Sequence, residues 1–158
     1  MKLFFLFSLI STFLFSQEIQ FHETKYIYAV DNEFTKRGTL NIDTNTVKLH
    51  YKGSDKNIIY TNENIQIITE GEIETFTHEE SFEYTLFFQL VLAVYTDDTT
   101  LLLDNFTIDK KEKITTLLPT EYLASVIQNI EYEKNNNSLK YLTIHFLNQD
   151  RITIEESK

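Results

Sequence analysis

From Leu86 to Tyr95 the chain reads LFFQLVLAVY, and Gln89 is the only strongly polar side chain in the run. Just upstream, Thr77-His78-Glu79-Glu80 places a Thr hydroxyl three residues before a Glu, the pattern of a capping box. Together they predict a helix from about Glu79 to Tyr95. A helix that is apolar nearly all round has to be covered on more than one side. This one is too short to span a bilayer, which takes roughly 20 apolar residues. The rest of the fold must therefore wrap around it.

The sequence on either side has the period of strands. Val47, Leu49 and Tyr51 alternate with Lys48, His50 and Lys52, so one face is apolar and the other wet. The same reading gives strands at Ile19 to Tyr28, Lys36 to Ile42, Asn57 to Thr61, Ile65 to Glu70 and Ile73 to Phe76. Turns separate them at Asp31-Asn32-Glu33, Asp43-Thr44-Asn45, Lys52 to Asp55 and Thr61 to Asn64. Regular turns between short strands mark an antiparallel meander. Beyond the helix, Asp97 to Leu103 predicts a second short helix, capped by Asp97 or Thr99 and burying Leu101-Leu102-Leu103. Strands return at Phe106 to Asp109 and Lys113 to Leu118, which Pro119 stops. After a helical turn within Thr120 to Val126 come Ile127 to Glu133, Leu139 to Phe146 and Arg151 to Glu155.

Six strands, a helical insert and five strands imply a sheet large enough to curl. The expected fold is mainly β with α: a curled antiparallel sheet, a half-open β-barrel, with a helical lid in its concave face. The side chains expected to line the hollow are Leu40, Ile42, Leu49, Tyr51, Tyr60, Ile65 and Ile67 from strands. Phe82, Leu86, Phe87, Leu90, Val91 and Val94 join them from the helix. If sheet and helix do not close fully, these residues bound a lipid-sized cavity; if they do, the same residues are an ordinary core.

Composition narrows the functions. The 158 residues carry a net charge of −10 and no Cys. The acidity argues against nucleic acid and against electrostatic attraction to an anionic bilayer. Without Cys there are no disulfides, thiolate nucleophiles or zinc-thiolate sites. Three Gly and one Pro leave no Gly-rich phosphate loop. His22, His50, His78 and His145 are not spaced as shared metal ligands, and no Gly-x-Ser-x-Gly elbow occurs. The adjacent acids Glu79-Glu80 suit the start of a helix, and Glu155-Glu156 sit at the chain's end. No catalytic residue, metal site or cofactor is expected. An enzyme would need acids or His22 to converge in a cleft.

The N-terminus has the form of a secretory signal peptide. Lys2 precedes an apolar stretch from Leu3 to Phe15, and the small Ser16 stands at a plausible cut point before Gln17-Glu18. The expected organisation is a signal peptide over 1–16 and a single domain over 17–158, periplasmic after export. No Cys follows the apolar run, so the chain has no site for acylation there.

In this order the elements resemble the LolA family, the periplasmic carriers of outer-membrane lipoproteins. Phe21-x-Glu23-x-Lys25 is similar to the family's first-strand pattern, and Gly38-Thr39-Leu40 to the Gly-x-Leu of its next strand. Leu49-x-Tyr51, then Tyr60, Asn64 and Ile65, fall where the family has an aromatic strand and the turn after it. The apolar helix, Leu101 to Phe106, Thr116-Leu117-Leu118-Pro119, Ile127-x-x-Ile130 and the hairpin from Leu142 to Ile154 follow in order. The resemblance covers nearly all of residues 17–158. The chain departs from the family's pattern in lacking an amphipathic helix before the first strand, any Trp, and the Arg-Pro step, whose place is taken by Asp43-Thr44-Asn45. No lid arginine is therefore carried over, and the resemblance is to a divergent member.

What the resemblance implies is a monomeric carrier without a cofactor. It would shield the acyl chains of lipoprotein cargo between an inner-membrane lipoprotein-releasing transporter and an outer-membrane acceptor. Because an unfilled cavity costs packing energy, the empty protein is expected to stay partly collapsed. The alternatives are a periplasmic acyl-lipid binder that does not serve lipoproteins, and a secreted β-rich protein-interaction module with a filled core.

Overall fold

Among the described residues, six strands precede one α-helix and five follow it. The structure, a computed structural model, describes residues 16–44 and 46–157. The signal-peptide reading therefore lies outside the described residues, apart from Ser16 at the start of the first strand. The first six strands are β1 (Ser16–Ile27), β2 (Asn32–Asp43), β3 (Thr46–Tyr51), β4 (Asn57–Thr61), β5 (Ile65–Thr69) and β6 (Glu72–Phe76). The helix α1 (Phe82–Thr96) comes next. After it run β7 (Phe106–Lys111), β8 (Ile114–Pro119), β9 (Ile127–Asn135), β10 (Ser138–Phe146) and β11 (Arg151–Glu156).

All eleven strands lie in one curled antiparallel sheet, in the order β6-β5-β4-β3-β2-β1-β11-β10-β9-β8-β7. Apart from β6 and β7, which the helix separates, consecutive strands pair antiparallel, and β1 pairs with β11, so the first and last strands meet in the middle. The sheet does not close into a barrel; β6 and β7 are its edges. Those edges carry exposed Glu72, Glu74, Asp109, Lys110 and Lys111, charges that discourage pairing with another chain. With so few glycines, several turns place Asp, Asn or Glu at positive φ, as at Asp31, Glu70, Glu112 and Asn136. Asn and Asp tolerate that conformation better than most residues.

The helix lies in the concave face. Thr85, Leu86, Phe88, Leu90, Val91, Ala93 and Val94 are buried, and Tyr84, Phe87, Leu92 and Tyr95 are half-buried against the same core. Full burial of side chains such as Phe88 and Leu90 contributes about 1.5–3 kcal/mol each. Phe88 packs on Tyr60 of β4, with ring centroids 5.4 Å apart. The far end of α1 is tied down by the Tyr95 hydroxyl, which donates to Glu156 at 3.1 Å, and by an ion pair of 2.7 Å between Lys134 and Asp97. Asp97, at φ 58°, ends the helix.

Two local expectations are corrected. The capping box forms reciprocally, Thr77 N–H donating to Glu80 at 2.8 Å and Glu80 N–H to the Thr77 hydroxyl at 3.2 Å. It closes a turn ahead of the helix, however, and α1 starts at Phe82 rather than Glu79. That turn is pinned to β4: the His78 ring stacks on Tyr60 with centroids 5.1 Å apart, and His78 Nε2 is 3.0 Å from the Thr61 carbonyl. The second helix is only a 3-10 turn, Thr100–Leu102. Leu102 is fully buried, whereas Leu101 and Leu103 are exposed, because three successive residues of such a turn point in different directions.

Candidate functional site

The packing beneath α1 changes along the strands, and the inward-facing residues show where. On β1 they run Ile19, Phe21, Glu23, Lys25; on β2, in register with these, Leu40, Gly38, Lys36, Phe34. The first pair of each series is apolar or small, and charge enters after Phe21 and Gly38. At Gly38 the Phe21 ring lies so close that a Cβ would overlap it, and the Phe21 ring meets Tyr51 edge-on at 5.9 Å. On the apolar side of this line Phe21, Leu40, Leu90, Val91, Val94 and Leu142 leave a gap of only about 10 Å³.

On the other side the helix and sheet part. A cleft of about 1190 Å³ opens between the first half of α1 and the sheet. Phe82, Leu86, Phe87 and Leu90 roof it. Leu49, Tyr51 and Ile58 from β3 and β4 form one wall. The opposite wall is more apolar: Ile127, Ile144, Phe146, Ile152 and Ile154 from β9, β10 and β11. The 3-10 turn Glu121–Ser125 contributes Tyr122 and Leu123 at the mouth. Phe87, Leu90 and Ile154 border both the cleft and the closed seam, so the seam continues the cleft deeper under the helix.

The rim on the β1–β3 side is polar. Glu23 accepts a short hydrogen bond from the Tyr51 hydroxyl. Burial, reinforced by Glu23, pushes the Tyr51 phenol well above the ordinary tyrosine range. Lys36 Nζ lies over the Tyr51 ring, 5.4 Å from its centroid, within cation–π range. Lys56 Nζ donates to the Tyr84 hydroxyl at 3.0 Å and joins the β3–β4 turn to the start of the helix. A second cleft, about 720 Å³, lies on the other side of the helix start. Its rim holds Glu79, Glu80, Glu83, Asp104 and Glu121 and, among the described residues, no cation.

Of the residues expected in the cavity, Leu49, Tyr51, Phe82, Leu86, Phe87 and Leu90 line the larger cleft. Ile67 borders the smaller one, together with Phe82. Leu40, Val91 and Val94 lie in the closed seam. Ile42, Tyr60 and Ile65 lie in the core, buried among neighbours at the packed end. His22 does not join the site, since it alternates to the outer face and meets the Ser157 hydroxyl at 2.8 Å. The apolar wall of β9, β10 and β11 was not foreseen; its signal is the alternation Leu142, Ile144 and Ile152, Ile154, which faces inward only once β11 is paired with β1.

No protein-family model matches the chain, and no curated protein matches it.

Proposed function

We propose that the protein is a periplasmic carrier that binds acyl chains of lipoproteins in the larger cleft and moves them from the inner to the outer membrane. The observation that carries the acyl-binding part is the apolar wall of Ile144, Ile152 and Ile154 facing Phe87 and Leu90 across about 1190 Å³. An apolar cavity of about 150 Å³ already holds a benzene-sized molecule, so this cleft has room for much longer hydrocarbon. Each buried methylene is worth about 0.8 kcal/mol, and a long chain therefore roughly 10 kcal/mol. The closed seam under Leu90 offsets part of that gain, because a chain entering it must part side chains that already touch. A partial offset of this kind suits cargo that is handed on rather than kept. The transport part of the proposal rests on the resemblance in element order to the LolA family, with an inner-membrane releasing transporter and an outer-membrane acceptor as partners.

The test is lipid extraction and mass spectrometry on protein isolated from the periplasm of expressing cells. Acylated lipoprotein in the extract supports the carrier. Free acyl lipid alone reduces the reading to a lipid binder. An extract free of both, under conditions that load a known carrier, contradicts it.

A further inference from the structure

The larger cleft pairs a greasy interior with a basic rim on an acidic protein. Five of the fourteen basic residues line it: Lys25, Lys36, Arg37, Lys52 and Lys56. Among the described residues only two acids do so, Glu23 and Glu83. None of the five cations forms an ion pair among the described residues. Strand register sorts them further. Lys36 faces the hollow opposite Glu23, and Lys25 faces it between Phe34 and Ile152, whereas Arg37 alternates to the outer face. Of the two acids, Glu23 is engaged by the Tyr51 hydroxyl. Glu83, on the first turn of α1, also borders the acidic cleft.

Lys25 and Lys36 are thus inward-facing ammonium groups in no direct ion pair, set where the apolar surface ends; Lys36 rests over the Tyr51 ring beside Glu23, whose carboxylate is engaged by the Tyr51 hydroxyl. Their alkyl stems extend that surface while their heads reach water. A neutral head group would leave both charges solvated and gain nothing from them. An anionic one would gain charge-assisted hydrogen bonds beside a low-dielectric wall.

We propose that the cleft selects amphiphiles with an anionic head group, the acyl chain lying between α1 and Ile144, Ile152 and Ile154 and the head held by Lys25 and Lys36. This rests on the acyl-binding reading above and deepens it. Lys56 is already committed to Tyr84 and supports the rim rather than the head.

The experiment is calorimetric titration of the full-length protein with dodecyl phosphate and dodecyl maltoside, each below micelle formation. Binding of dodecyl phosphate about fivefold or more tighter than dodecyl maltoside is expected, the equivalent of about 1 kcal/mol, with the difference shrinking as salt is added. The double variant Lys25→Gln, Lys36→Gln should bring dodecyl phosphate down to the affinity that the same variant shows for dodecyl maltoside. Equal affinity in the native protein, or a preference that survives the double variant, overturns the proposal while leaving acyl binding intact. Binding of neither amphiphile overturns the acyl-binding reading itself. Competition by inorganic phosphate at concentrations similar to dodecyl phosphate also overturns the proposal, since it would make the rim a plain anion site.

Discussion

The ring of Phe21 lies on the bare backbone of Gly38, on the strand beside it, at the line where the hollow passes from packed to open. A side chain at 38 would displace the ring toward α1 or into the cleft. The His50 carbonyl, about as near as ordinary packing allows, blocks movement of the methyl itself. Gly38→Ala is therefore expected to destabilise the fold by about 1–3 kcal/mol, the usual cost of overpacking. Urea unfolding measures it; an unchanged midpoint would show that Phe21 has room the structure does not reveal.

Leu90 sits on the boundary between cleft and closed seam. Leu90→Ala should cost the empty protein about 2–5 kcal/mol through the cavity it leaves. It should also lengthen the space available to an alkyl chain. The melting temperature of the variant should rise more on adding a hexadecyl amphiphile than a dodecyl one, relative to native protein. Equal rises would place the chain elsewhere.

Ile152 is only half-buried and lines the cleft wall, so it tolerates polarity better than a core residue. Ile152→Glu should leave the fold intact by circular dichroism and weaken dodecyl maltoside binding by about tenfold or more, the equivalent of about 1.4 kcal/mol. Retained affinity in a folded variant would remove the β11 wall from the site.

Much of this architecture can be read from the chain. Val47, Leu49 and Tyr51 alternate cleanly, and the strand Asn57–Thr61 has the bounds its pattern predicts. The six-helix-five order follows from where the hydrophobic period changes. The site is legible only in part. Leu49 and Ile65 carry the same inward signal, yet one borders the cleft and the other closed core. The difference is position along the strands: Ile65 lies in the cross-strand row of Tyr60, Val47 and Ile42, whereas Leu49 lies one inward step nearer Tyr51 and Gly38. The apolar wall depends on β1 meeting β11, a pairing between opposite ends of the chain that no local pattern announces.

Two half-buried phenols set an alkaline limit. Burial raises the Tyr51 and Tyr95 hydroxyls above their ordinary range, with Glu23 and Glu156 adding to the effect. A folded value above the unfolded one gives stability that is complete below the unfolded tyrosine range, about pH 10, and is lost as pH rises beyond it. Tyrosinate absorbance should therefore show at least two groups that ionise only on unfolding. Replacing both by Phe should remove them and flatten the alkaline loss of stability; ionisation of all tyrosines in the folded protein would contradict the burial.

Glu80 makes the opposite prediction. Its hydrogen bonds from the Thr77 amide and hydroxyl hold the carboxyl below the usual range. The stability it adds is present above that range and is lost as pH falls through the lowered value. The gap in stability between native protein and Glu80→Gln should narrow on acidification. A gap independent of pH would mean that the capping box does not persist in solution.

The central claim is that hydrocarbon occupies the space between the first half of α1 and the strands β9 to β11. Methyl-labelled nuclear magnetic resonance during titration with dodecyl maltoside tests it directly. The account predicts saturable shifts at Ile144, Ile152, Ile154 and Leu90, with Ile42, Val47 and Ile65 in the packed end unmoved. Saturable binding that leaves the first group unmoved, or no binding at all, would contradict it.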